Sequence, residues 1–338
     1  MVLAAVALCT ACEKRLDVDF DDQQQRVVVK SISQTNENVG VRLTLSRPVY
    51  GSFYVRNDED YFPKVDNATV TMTVDGGTPL TASRTVNVYT FAHQAQPGEE
   101  LVLKVMVPGY DAITATAKVP QMPLLSEVEM DLPDYIGGWV SLSNLNVCFT
   151  LTDNGQTEDF YQVALHQYDT VYSTFYDTSG TVIARDTTVD DNYIFFSCTD
   201  YLLIDNMSLD GVIDPEDPEA SSRYSGKSML FTDAGINGQQ HKVTLTIGSY
   251  YDYDYDWSNS DIDYSAVDSV DRVNHCSVVL EVSGLSRDVY LYRQTVAAYE
   301  DDEFISMFSE PVQIHNNIKD GIGIFGVDAI SEVKFLIR

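Results

Sequence analysis

Basic residues are scarce in this chain. Its 338 residues include 21 Lys and Arg against 51 Asp and Glu, which gives a formal net charge of −30 at pH 7. Nucleic-acid binding depends on Lys and Arg side chains that neutralise phosphates, so this composition disfavours nucleic acid as a partner. A large excess of one sign keeps a protein soluble and attracts cations, but it does not define a site.

Cysteines are also few. The chain has five, and after Cys12 they occur only at Cys148, Cys198 and Cys276. An oxidising compartment permits one disulfide among these three and leaves one thiol over. The sequence does not select the pair.

Long apolar runs and familiar catalytic motifs are missing as well. No segment approaches the roughly 20 consecutive apolar residues that a transmembrane helix needs. The sequence contains no H-E-x-x-H, no G-x-S-x-G and no Walker phosphate loop. The many carboxylates single out no pair as a glycosidase dyad. These absences leave no catalytic residue to name, and they predict no cofactor apart from the calcium considered below.

The first twelve residues, MVLAAVALCTAC, form an uncharged apolar run that ends in small residues and Cys12. Small side chains before a cleavage point are typical of a secretory signal, and a cysteine at the cut resembles a bacterial lipoprotein signal. We therefore expect residues 1–12 to be a signal ending at Cys12, which would carry the lipid. Residues 13–25 are expected to form a tether. The membrane is then a partner through the lipid, at the periplasmic or cell-surface face of the bacterial outer membrane.

The composition favours strands, because Tyr, Thr and Val recur throughout. Val70, Met72 and Val74 alternate with threonines, which is the period of a half-buried strand. The strands expected first are Arg26–Ser33, Val39–Ser46, Ser52–Arg56, Ala68–Val74, Arg84–Phe91, Glu100–Val107 and Ala112–Val119. Seven short strands in about 100 residues predict an immunoglobulin-like β-sandwich over residues 26–123. Pro120 and Pro123 would close it.

A larger β-rich domain with one amphipathic helix is expected over residues 124–338. Its predicted strands are Gly138–Thr152, Asp159–Gln167, Val171–Tyr176, Thr181–Asp186, Tyr193–Ser197, Ser228–Phe231, Lys242–Ser249, Ser277–Val282, Pro311–Ile314, Gly323–Val327 and Glu332–Ile337. A helix is expected after Ser286, a candidate N-cap, because apolar residues recur there at spacings of three and four. These apolar residues are Leu285, Val289, Tyr292, Val296 and Tyr299.

Residues 250–257, YYDYDYDW, are the most unusual local feature. Asp252, Asp254 and Asp256 have the spacing of the first ligands of a calcium loop, although Trp257 replaces the required glycine. Alternate carboxylates on a straight strand lie about 6.6 Å apart, so only a curled loop would let them share one ion. Two other interpretations stay open. The segment could be a solvent-facing acidic edge that resists strand pairing, or a ligand surface of stacking rings. Those rings belong to Tyr251, Tyr253, Tyr255 and Trp257.

Three glycines near the C-terminus, Gly321, Gly323 and Gly326, match the spacing of a dinucleotide-binding fingerprint. That fingerprint needs a helix after it, whereas the residues that follow Gly326 alternate like a strand. The pattern therefore favours a turn and close packing over nucleotide binding.

Several segments resemble a known family. Residues 309–326, SEPVQIHNNIKDGIGIFG, have a Pro, a short strand, an Asn-Ile pair and a Gly-x-Phe-Gly, as in the closing segment of domain-of-unknown-function family four-two-four-nine. Residues 41–46 and 67–72, VRLTLS and NATVTM, are similar to that family's opening strands, and residues 103–123 to its strand pair and proline linker. The resemblance implies an outer-membrane lipoprotein encoded beside a TonB-dependent transporter.

The role implied by the resemblance is a non-enzymatic accessory to the uptake of nutrients or metal complexes. It brings no catalytic residues with it. Two alternatives stay open: a structural, adhesin-like or assembly subunit that uses exposed β edges, and a calcium-dependent glycan-binding protein or enzyme.

Overall fold

The computed structural model describes residues 25–46, 63–86, 88–136, 139–204, 224–248, 265, 267–301 and 313–337. Strands dominate these ranges. The first nine are β1 (Val27–Gln34), β2 (Asn38–Leu45), β3 (Thr69–Val74), β4 (Leu80–Thr81), β5 (Ser83–Thr85), β6 (Val88–Gln94), β7 (Glu100–Met106), β8 (Ile113–Lys118) and β9 (Leu124–Met130). The prediction of a mainly β, sandwich-like fold is confirmed.

The second part of the chain adds longer strands and two helices. The strands are β10 (Asp134–Ile136), β11 (Trp139–Ser141), β12 (Asn146–Thr152), β13 (Phe160–Tyr176), β14 (Val182–Tyr193), β15 (Phe196–Cys198), β16 (Tyr224–Gly226), β17 (Ser228–Thr232), β18 (Gln240–Ile247), β19 (Ser269–Leu285) and β20 (Ile322–Leu336). The helices are α1 (Tyr201–Ile204), a single turn, and α2 (Arg287–Asp301).

One large sheet runs through the molecule. Its nine strands include a path in the order β14-β13-β19-β20-β1-β2-β6-β5, and β17 pairs with β13 beside that path. A four-stranded sheet, β4-β3-β7-β8, and a five-stranded sheet, β16-β15-β18-β12-β9, accompany it, and β10 and β11 form a separate pair.

The first hydrophobic core combines the β1-β2-β6 part of the large sheet with the four-stranded sheet. Alternate residues of β7, Leu101, Leu103 and Val105, are fully buried in it, as the period of two requires. Phe325 and Val327 of β20 belong to the same core. Residues from both ends of the described chain therefore build this core, and the domain boundaries at 123 and 124 stay a prediction.

The second core lies between the other half of the large sheet and the five-stranded sheet. Val163 and Leu165 of β13 and Leu280 of β19 are buried in it, with Phe149 of β12 and Leu245 of β18. The opposite face of the large sheet is covered in part by α2, whose Val289 and Tyr290 form a third cluster with Phe160, Leu285 and Ile324.

The predicted helix is confirmed, and so is its N-cap. The Ser286 hydroxyl accepts a hydrogen bond from the Val289 N–H at 3.4 Å, which satisfies one of the free donors of the first turn. The apolar stripe does not stay buried to its end. Val289 is fully buried, whereas Tyr299 is 57% exposed.

Several strand predictions are wrong in length or continuity. The strand predicted over Arg84–Phe91 is a hairpin, β5 and β6, that turns at Val86 with a φ of 54°. A β-branched residue rarely adopts this backbone region, so the sequence carries no signal for the turn. Gln313 and Ile314 lie outside any strand, and residues 52–56 are outside the described part.

In two places, two strands that were predicted to be separate form one long strand. Asp159–Gln167 and Val171–Tyr176 merge into β13, a strand of 17 residues, because β19 pairs with it along its whole length. In the same way Gly323–Val327 and Glu332–Ile337 are both part of β20. Pro120 and Pro123 do end the first set of strands, but the chain enters β9 at Leu124 directly afterwards.

The cysteines and the helices add two further facts. Within the described ranges, Cys148, Cys198 and Cys276 form no disulfide. No helix in those ranges is long and apolar enough to span a membrane.

The glycines near the C-terminus allow close packing, as predicted. Gly323 has a φ of 122°, and a Cβ built on it would lie 1.9 Å from the Val29 carbonyl oxygen of the neighbouring strand β1. At Gly326 a Cβ would lie 2.2 Å from a methyl group of Val289. Only glycine lets β20 approach β1 and α2 this closely.

Replacing Gly323 by Ala should therefore destabilise the protein strongly. Backbone atoms of β1 cannot yield without breaking the β1–β20 pairing, so we expect a loss of at least about 3 kcal/mol in the free energy of unfolding. Gly76→Ala is the matched control, since Gly76 also has a positive φ, 67°, but no neighbour within 4 Å. Its expected loss is roughly 1–2 kcal/mol. Urea denaturation measures both, and equal losses would contradict the proposed clash.

Candidate functional site

The residues that the sequence suggested for calcium or ligand binding are not part of the described structure. Asp252, Asp254 and Asp256 lie outside it, as do Tyr251, Tyr253, Tyr255 and Trp257 and the lipid-attachment candidate Cys12. Their assigned roles stay predictions.

A different group of carboxylates is brought together by the fold. Oxygen atoms of Asp153, Asp159 and Asp233 lie within 4.8 Å of one another, and Asp153 and Asp233 are buried. Asp153 follows β12, Asp159 precedes β13, and Asp233 follows β17. The cluster therefore sits where the chain passes from the five-stranded sheet to the large sheet.

Protein donors already engage each of these carboxylates. Asp153 accepts hydrogen bonds from the Tyr161 hydroxyl at 2.7 Å and from the Gly238 N–H at 2.8 Å. Asp159 accepts from the Thr157 hydroxyl at 3.0 Å. Asp233 accepts from the Asn237 amide at 3.3 Å. The cluster thus ties the turn after β12 to the turn after β17.

Burial and mutual repulsion shift the pKa values in this cluster. Burial raises the pKa of Asp233 above its ordinary value; a backbone hydrogen bond from Asp159 opposes the shift, and the charges of Asp153 and Asp159 add to it. Burial also raises the pKa of Asp159, against a hydrogen bond from Thr157. Burial and the bond to Asp153 raise the pKa of the Tyr161 phenol. Burial and nearby like charges both disfavour the ionised form of an acid, which raises its pKa.

Carboxylate oxygens are the ligands that Ca²⁺ prefers, so these residues could hold a hard cation. However, the hydrogen bonds to these carboxylates join the two turns, and they explain the arrangement of the three side chains without a bound cation. The Asp153-Asn154-Gly155 turn is recognisable in the sequence, but its approach to Asp233 is not, because 80 residues of chain separate the two.

The fold defines the class of protein, which is a mainly β protein of stacked sheets. The comparison with protein families then names the family. The model for Domain of unknown function (DUF4249) matches residues 13–333, and the chain belongs to this family. None of the curated proteins compared with the chain matches it.

Two solved structures show distant likeness. One is described as carbohydrate-binding modules from the β-sandwich superfamily; it shares 8% identity and a TM-score of 0.19, over 77% of this chain and 97% of that chain. The other is the enzymatically active domain of tailspike protein 4 from bacteriophage CBA120, with 11% identity and a TM-score of 0.11, over 55% and 18%. Neither similarity is high enough to support a functional argument.

Asp233→Asn should stabilise the protein at neutral pH. Because the folded-state pKa of Asp233 is raised, its ionisation disfavours the fold. The penalty is absent below the unfolded pKa of about 4, grows between the unfolded and the folded pKa, and is complete above the folded pKa. The amide keeps an acceptor oxygen but not the charge. We expect a higher denaturation midpoint than the natural protein at pH 7 and the same midpoint near pH 3.

Asp177→Asn is the control of opposite sign. Hydrogen bonds from Ser179 and Thr181 lower the pKa of this exposed carboxyl, so its ionisation stabilises the fold and the amide should lower the midpoint at pH 7. Urea titrations across pH measure both variants. A midpoint for Asp233→Asn below that of the natural protein at pH 7 would contradict the repulsion argument.

Proposed function

We propose that this protein is a lipid-anchored, non-enzymatic accessory subunit of a TonB-dependent uptake system in the bacterial outer membrane. The observation that carries the proposal is the family match, which begins at residue 13, directly after Cys12. The segment before it has the apolar run and small residues of a lipoprotein signal. The family resemblance supplies the transporter setting.

Lipid on Cys12 would be the whole membrane attachment. Each buried methylene contributes about 0.8 kcal/mol, and two acyl chains are enough for stable anchoring. With such an anchor the folded body does not need a membrane-binding face of its own.

The tether would join the folded body at β1, a strand that is paired on both sides. The first described strand, β1, is paired with β20 on one side and β2 on the other. At its start the Arg26 N–H donates to the Ser46 hydroxyl at 2.8 Å, and the Arg26 guanidinium donates to the Gly321 carbonyl at 3.4 Å. Tethering such a rigid body beside a transporter raises its effective concentration there, which is the physical contribution of an accessory subunit.

Cys12→Ala should release the protein from the membrane. Without a thiol the acyl chains cannot be attached, and we expect the protein in the soluble fraction of cells of the native host. Cys148→Ala is the matched control, because it removes another thiol and should leave the protein membrane-bound. Fractionation and intact-mass spectrometry measure the outcome. Membrane retention of Cys12→Ala, or a natural protein whose mass shows no lipid, would refute the anchor.

Affinity purification of the anchored protein from cross-linked native membranes should recover a TonB-dependent barrel. The tether holds the two proteins together, so Cys12→Ala should reduce the recovery at least tenfold. Recovery of polymers of this chain without a barrel would contradict the accessory role and favour the structural alternative. Calcium-dependent binding to glycans would favour the other alternative, a calcium-dependent glycan-binding protein or enzyme.

A further inference from the structure

One histidine in the second part of the molecule has a ring nitrogen without a hydrogen-bond partner. His166 lies in β13 on the same face of the large sheet as Phe160, which contacts Tyr290 of α2. The residue is 6% exposed, so its imidazole is almost fully removed from water. Its Nε2 atom is buried and makes no hydrogen bond to any described residue.

The other ring nitrogen is held by a carboxylate. His166 Nδ1 lies 3.0 Å from an Asp191 carboxylate oxygen on the adjacent strand β14. Asp191 can only accept, so Nδ1 carries the proton of this bond. In the neutral imidazole, Nε2 then presents its lone pair.

A second carboxylate faces that lone pair. Glu281, on β19 at the other side of β13, places an oxygen 3.6 Å from His166 Nε2. The second Glu281 oxygen accepts a hydrogen bond from the Ser283 hydroxyl at 3.1 Å, which holds the carboxylate in place. In the neutral imidazole, two electron-pair donors, His166 Nε2 and a Glu281 oxygen, are therefore held 3.6 Å apart.

The surroundings favour a cation in that volume. Tyr193 lies 4.1 Å from the His166 ring, centroid to centroid, and Tyr168 stacks at 6.0 Å. The carboxylates of Asp191 and Glu281 lie on two sides of the imidazole, at 3.0 Å from Nδ1 and 3.6 Å from Nε2. Arg293 of α2 is paired with Asp328, and the exposed Lys334 of β20 lies in register two strands away from His166.

We propose that His166 Nε2 and Glu281 bind a divalent transition-metal ion of the Zn²⁺ type. Bonds of about 2.0–2.1 Å to two ligands at the tetrahedral angle put the donors about 3.3–3.4 Å apart, close to the 3.6 Å between His166 Nε2 and the Glu281 oxygen. Metal ligands are usually oriented by hydrogen bonds from neighbouring groups. Here Asp191 accepts from His166 Nδ1, and the Ser283 hydroxyl donates to the second Glu281 oxygen.

The donor set also selects the class of ion. Imidazole nitrogen suits Zn²⁺, Ni²⁺ and Cu²⁺, whereas Ca²⁺ and Mg²⁺ take oxygen ligands. Zinc should therefore bind here and calcium should not. The inference rests on the geometry around His166 and does not depend on the proposed membrane anchoring.

Calorimetric titration of the purified full chain with ZnCl₂ tests the site. We expect one site that is weakened at least tenfold by His166→Gln and by Glu281→Gln, and 10–100-fold by Asp191→Ala, which keeps both ligands but removes the acceptor that orients His166 through Nδ1–H. His275→Gln is the matched control, because His275 is an exposed histidine on the same sheet face. It should leave the affinity unchanged.

Thermal melting accompanies each titration. ZnCl₂ should raise the melting temperature of the natural protein and of His275→Gln but not of the two ligand variants, since binding to the native state stabilises it. Melting of the metal-free variants shows whether they fold, and Glu281→Gln, at a partly exposed position, keeps the test valid if His166→Gln does not. Absence of zinc binding by the natural protein, or unchanged affinity in a folded ligand variant, would overturn the proposal. Equal binding of CaCl₂ at this site would overturn the metal class.

Discussion

The pairing of β20 holds this molecule together. Residues Val28–Gln34 of β1 pair in parallel with Ile322–Asp328, and the following residues of β20 pair antiparallel with β19. A parallel pair cannot be closed by a tight turn, and here almost the whole described chain forms the connection between β1 and β20. One strand thereby fuses two half-sheets into a nine-stranded sheet.

The same strand contributes to both main cores. Phe325 and Val327 enter the first core, and Ile337, directly after the strand, enters the second. The packing of α2 on the sheet also depends on β20, because the glycine at position 326 leaves room for the Val289 side chain of α2. The strands that carry His166 and Glu281 are positioned through this sheet, which makes the metal site that we propose a consequence of the fold's central pairing.

Local sequence signals predicted local features well. The alternation Val70, Met72, Val74 is a strand with Val70 and Met72 buried, and Ser286 caps α2. Prediction failed where a distant partner decides the outcome. β13 is continuous because β19 supports it over 17 residues, and the hairpin at Val86 uses a backbone conformation that its side chain disfavours. The approach of Asp153 to Asp233, and of His166 to Glu281, depends on strand order in the sheets, which carries no short-range signal.

The sequence by itself determined the mainly β class, the helix after Ser286, the family and the strongly acidic character, because periodicity, capping residues, motifs and charge are all local or additive properties. Only the tertiary structure decided which strands are neighbours, that both ends of the described chain share a core, and which carboxylates and imidazoles meet. Those outcomes depend on the order and register of strand pairing. Register brings together residues that lie more than a hundred positions apart, and the pairing energy is distributed over whole strands rather than encoded in any one segment.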